Sequence, residues 1–93
     1  MNKQQIAIIG LQTLGTHFLK AMVDLKTKGV DVVGVSEEKY TEGTKYAEEQ
    51  GISNLSIDQV VDIGDKVDII FDLSGSTEIR KELRKTLFSS HNQ

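Results

Sequence analysis

The stretch IAIIGLQTLGTHFLKAM, residues 6–22, limits the folds open to this chain more than any other part of it. Ile6, Ala7, Ile8 and Ile9 run without a polar break, as in a strand buried on both faces. The run ends at Gly10, a second glycine follows at Gly15, and from Leu14 apolar residues recur at helical spacing. A strand that passes through a short glycine turn into a helix implies helices layered on a sheet.

The remainder repeats that rhythm. Strands are expected at residues 6–9, at VDVVGV (residues 30–35), at residues 52–55 and at VDIIFDL (residues 67–73). The first helix places Leu14, Phe18, Ala21, Met22 and Leu25 on its inward face and stops at Gly29. TEGTKYAEEQG forms the second, with Gly51 suited to a left-handed C-cap, and SIDQVVDIG gives one or two turns started by Ser56 or Asp58. SGSTEIRKELRKTLF makes the last helix, its buried stripe formed by Ile79, Leu83 and Leu87. Right-handed crossovers then give an α/β three-layer sandwich whose parallel sheet has about four strands in the order 3-2-1-4.

Composition sets the company this fold keeps. A chain of 93 residues is a single small domain, residues 1–93, which buries about 60–65% of its unfolded surface. The net charge of −3, with Lys and Glu evenly mixed, argues against nucleic acid as a partner. There is no cysteine, hence no disulfide or thiolate metal site, and the two histidines stand far apart in sequence. Apolar runs such as residues 6–9 and 69–71 are too short to cross a bilayer, and the N-terminus lacks the layout of a signal peptide, so a cytoplasmic location without membrane contact is expected.

Ligands of open parallel sheets sit beyond the carboxyl ends of the strands, where the strand order reverses. Two loops are expected there, GLQTLGT (residues 10–16) and DLSGST (residues 72–77), each ahead of a helix N-terminus that favours an anion. The phrases IAIIGLQTLGTHFL, VDVVGVSE, KYAEEQGI and VDIIFDLSGSTEIRKEL follow one another across residues 6–83, so their order and spacing extend over nearly all of the chain. In order and spacing they resemble the N-terminal half of an NAD(P)-binding Rossmann domain, in the style of homoserine dehydrogenase and of the glucose-fructose oxidoreductase and inositol dehydrogenase family. They are also similar to the Rossmann input domains of bacterial signalling proteins.

That resemblance implies NAD or NADP as cofactor, bound by Gly10, Leu11, Gln12, Thr13, Leu14, Gly15, Ser36, Glu37, Leu73, Ser74 and Gly75. The family fingerprint G-x-G-x-x-G reads here Gly10-Leu11-Gln12-Thr13-Leu14-Gly15, with Gln12 in place of the middle glycine. Gln12 either crowds the pyrophosphate or turns away and donates from its amide. The turn is thus a nucleotide site of reduced affinity, or one whose glycines serve packing alone.

Glu37 on the ribose would select NAD, and Ser36 with Lys39 facing a 2′-phosphate would select NADP; in the bland alternative Glu37, Glu38 and Lys39 form a solvated loop. Thr13 and Thr16 can donate hydroxyls to a phosphate, with Thr16 equally suited to a helix first turn that has no ligand; His17 reads as a surface residue, and Asp72 either orders a ribose or a metal-bound water or accepts N–H bonds from the turn that follows it. Ser74 and Ser76 read first as helix caps.

No Ser-His-Asp set, metal cluster or phosphate-loop lysine can be assembled, and the chain has no proline to match the Glu-Lys-Pro motif of the glucose-fructose oxidoreductase type. The domain is therefore expected not to turn over a substrate alone. It reads as the cofactor-binding or sensory part of a longer chain, with a fused signalling or catalytic domain or a homodimer partner. The alternative is a ligand-free dimerisation or interaction module that has lost its cofactor.

Overall fold

The computed structural model describes residues 3–75 and 81. The run at residues 6–9 lies within strand β1, Gln4–Ile9, which takes the centre of a parallel sheet because it is buried on both faces. Helix α1, Thr13–Asp24, follows, and after a 3₁₀ turn Gly29 adopts φ 93° before strand β2, Val30–Ser36. Helices α2, Glu42–Glu49, and α3, Ile57–Asp62, precede strand β3, Ile69–Asp72.

Among the described residues the sheet has three strands in the order β2-β1-β3, all parallel. This corrects the expectation of four strands in the order 3-2-1-4. The segment at residues 52–55 does lie beside β2, but it closes only an isolated bridge between Val35 and Asn54. It is bracketed by Gly51 at φ 74° and by the N-cap Ser56, which leaves too little extended chain for a ladder. β3 is the strand expected fourth. Of the expected last helix, Lys81 is helical, and Ser76, Thr77, Ile79, Leu83 and Leu87 fall outside the described residues.

Alternation along the strands sorts the core. Ile6 and Ile8 of β1 and Val32 and Val35 of β2 join Leu19 of α1 and Ala47 of α2 in one cluster, with Phe71 of β3 packed against it. The rings of Phe71 and Phe18 stand 4.7 Å apart and tilted, a favourable aromatic geometry. Gly34 faces the other way, where a Cβ would stand 2.8 Å from Leu55 Cδ1. Register makes this possible: Ile6 pairs with Val32 but Ala7 pairs with Gly34, so Val33 is an extra residue in β2.

The inward face of α1 differs from the expected one. Gly15, Thr16 and Leu19 are buried, whereas Leu14 is 66% exposed and Ala21 is also exposed. Gly15 seats directly against the Gly10 carbonyl, where a Cβ has no room, and this contact rotates Leu14 outward. Among the described residues no helix is long and apolar enough to cross a membrane.

Gly10 is the tightest point of the strand-to-helix turn. It has φ 93°, and a Cβ there would stand 2.5 Å from the Cα of Ser74. Gly10→Ala is expected to cost about 3 kcal/mol through backbone strain and overpacking together. Gly64, where a Cβ meets nothing within 4 Å, is the control. Gly64→Ala should shift stability by about 0.5 kcal/mol in either direction. Urea denaturation of both variants measures the contrast, and equal losses would remove the steric account.

Candidate functional site

Beyond the carboxyl ends of the strands lies a cleft of about 620 Å³, a volume typical of small-molecule sites. Gly10 and Gln12 form one wall, Ser36, Glu37 and Lys39 a second, and Asn54, Ser56 and Asp58 a third, with Ser74 beside Gly10. The sequence places these residues far apart; the parallel sheet brings them together because each strand delivers its following loop to the same edge.

The main chain of Leu11 is the fixed point of this edge. Its N–H donates to Glu37 Oε1 at 2.9 Å. Its carbonyl accepts from the Thr16 hydroxyl at 2.9 Å and from the Thr41 hydroxyl at 2.6 Å. The Leu11 side chain is fully buried, so the main chain is held by packing as well as by polar contacts. Thr41 also caps α2: its hydroxyl accepts from Thr44 N while Thr44 Oγ1 accepts from Thr41 N.

Glu37 is held in turn. Its second oxygen, Oε2, accepts from Lys39 N at 3.1 Å. Asn54 clasps its main chain, accepting from Glu37 N at 3.0 Å through Oδ1 and donating to Glu37 O at 2.9 Å through Nδ2. An ionised carboxylate has about four lone-pair sites, so one on each oxygen stays available to a ligand that offers two neighbouring hydroxyls.

The other expected site residues play different parts. Gly10 and Gly15 are demanded by packing, as described above, and Leu73 continues the sheet edge, its N–H donating to Ile9 O at 2.8 Å. Ser36 is buried and its carbonyl accepts from Gly10 N at 2.8 Å. Gln12, Thr13 and Leu14 lie exposed at the start of α1, where Gln12 is the N-cap and makes no side-chain cap bond. That leaves the first-turn N–H groups as donors, in contrast to α2 and α3, both closed by capping boxes. Ser74 donates from N and Oγ to Asp72 Oδ1, at 3.1 and 2.6 Å, one of the roles read for Asp72 from sequence. Gly75 is exposed with φ 68°.

For Thr16 the ligand-free alternative holds. The residue is buried and its hydroxyl proton goes to Leu11 O, so it is not a phosphate donor. The solvated-loop alternative holds for Glu38 and Lys39, which are exposed, and fails for Glu37, which is partly buried and bonded on both oxygens. His17 is exposed, as a surface residue would be.

Thr41 and Asn54 were not among the residues singled out from sequence. For Thr41 a signal existed, a hydroxyl residue three positions before Thr44 at a helix start. For Asn54 the signal was slight: Asn is unfavourable in a strand, and it sat in an expected one. Among the described residues no group of His, Asp and Glu is arranged to hold a metal ion. Searches with the chain match no protein-family model, no curated protein and no solved structure.

Removing the Thr41 hydroxyl takes away both an N-cap and a hydrogen bond to Leu11 O. Thr41→Ala is expected to lower stability by about 1–2 kcal/mol. Thr41→Ser, which keeps the oxygen, should stay within about 0.5 kcal/mol of the parent. Urea midpoints decide it, and similar losses in both variants would mean that the methyl group, not the hydroxyl, matters.

Proposed function

We propose that the chain is a Rossmann-like nucleotide-binding domain that takes NAD or NADP in the cleft, with NAD preferred, and performs no chemistry alone. It would act as the cofactor-binding or sensory part of an oxidoreductase-like or signalling protein. The observation that carries this reading is the Glu37 carboxylate, bonded to Leu11 N in the glycine turn and offering one lone pair on each oxygen. That arrangement suits the 2′ and 3′ hydroxyls of a ribose, through charge-assisted bonds worth about 1.5–3 kcal/mol each.

The rest of the cofactor follows from α1. A pyrophosphate at its N-terminus would take N–H groups that no side chain caps, and the helix dipole favours the charge. Gln12 is N-cap at φ −83°, a backbone conformation that needs no glycine, and its side chain lines the cleft. Among the described residues the lining carries Glu37, Glu38 and Asp58 against Lys39, which disfavours the additional phosphate of NADP.

A second reading has its own support. Gly10 and Gly15 are each required by close backbone contacts, so the two fingerprint glycines that remain need no ligand to account for them. In that reading the chain is an interaction or dimerisation module.

Calorimetric and NMR titration with NAD, NADH, NADP and NADPH tests both. The expected outcome is amide shifts at Leu11, Gln12, Thr13 and Glu37, with NAD bound about tenfold more tightly than NADP. Glu37→Ala should remove most of that preference. No shift at about 1 mM of any cofactor in the parent, with binding restored by Gln12→Gly, would overturn the reading in favour of a domain that has lost its cofactor.

A further inference from the structure

Glu37 lies one residue beyond β2, where the sheet no longer supports the chain, yet its carboxylate must return to the Leu11 amide. A glutamate side chain that swings freely would lose much of its value as an acceptor, because each binding event would have to order it. What holds the residue is Asn54. Its side-chain amide satisfies both main-chain groups of Glu37, and the assignment is self-consistent, since a flipped amide would set donor against donor. Asn54 is anchored from the other side by the bridge to Val35: Val35 N donates to Ser53 O at 3.0 Å and Leu55 N donates to Val35 O at 2.7 Å.

We propose that Asn54 is a positioning residue for the cleft: it sets the backbone of Glu37 so that the carboxylate stays aimed at a ligand diol, and it ties the wall carrying Asp58 to the wall carrying Glu37. The inference rests on the reading of Glu37 as the ribose acceptor. Asn54 is exposed, so its hydrogen bonds compete with water and add little to overall stability. Their effect is on orientation, which separates this role from that of Thr41.

Two measurements on the full chain test it, one with ligand and one without. Without ligand, the NMR shift and hydrogen-exchange protection of the Leu11 amide are compared in the parent, Glu37→Ala, Asn54→Ala and Asn54→Asp. Asn54→Ala should move the Leu11 amide in the same direction as Glu37→Ala, and Asn54→Asp, which keeps only the acceptor, should move it part of the way. With NAD as the probe, Asn54→Ala should weaken binding about five- to tenfold in the parent and by less than about twofold in a Glu37→Ala background. An unchanged Leu11 amide, or equal losses of affinity in both backgrounds, overturns the proposal. If the parent does not bind NAD, the nucleotide reading fails, and the Leu11 amide still decides whether Asn54 positions Glu37.

Discussion

The main chain between the strand and the helix, at Leu11, is where the rest of the structure is referenced. Two hydroxyls converge on its carbonyl, from α1 and from the start of α2, and a carboxylate from the end of β2 takes its N–H. A buried carbonyl that accepts twice and an amide that meets an ionised oxygen fix the turn against three neighbouring segments. Gly43 extends the same joint, because a Cβ there would stand 2.9 Å from Leu11 Cβ, so α2 can approach only as glycine. The cleft therefore does not depend on a flexible glycine loop. It is the outer surface of a joint that the fold needs in any case.

This double duty explains what the sequence could and could not disclose about the fold. The central strand was legible because a continuous apolar run has few other places to go than the middle of a parallel sheet. The helix after it was legible as a helix but not in its rotation: spacing alone put Leu14 inward, and the backbone contact between Gly15 and Gly10 turned it to solvent. Residues 52–55 had the β-favouring Ile52 and Leu55, yet the caps on either side left extended chain for one bridge only. Propensity describes residues one at a time, and the length of a strand is decided by what ends it.

The site was legible in part for the same reason. The place of Glu37 at the cleft could be read because an acid shortly after a β-branched run lands at a predictable edge. The partners that hold it could not. Asn54 acts through an amide that reaches a backbone seventeen positions away, and Thr41 through a hydroxyl thirty positions from its acceptor. Such contacts leave no periodic trace. The glycines were visible but ambiguous, since the same absence of a side chain serves a close backbone and a close phosphate.

The extra residue in β2 has a consequence for how this edge can vary. Up to Val32 the two strands run in one phase, and after Val33 they run in the other. Side chains in a strand alternate strictly, so the phase is a matter of odd or even count. With Val33 in place, Val35 falls in the cluster with Ile8, and Gly34 falls where Leu55 needs room. Deleting Val33 would remove the bulge and leave both faces as they are, whereas straightening the strand with Val33 retained would exchange them and carry Glu37 to the opposite side of the sheet. Point substitutions can grade the properties of the cleft, but the side of the sheet that Glu37 reaches is set by this one bulge.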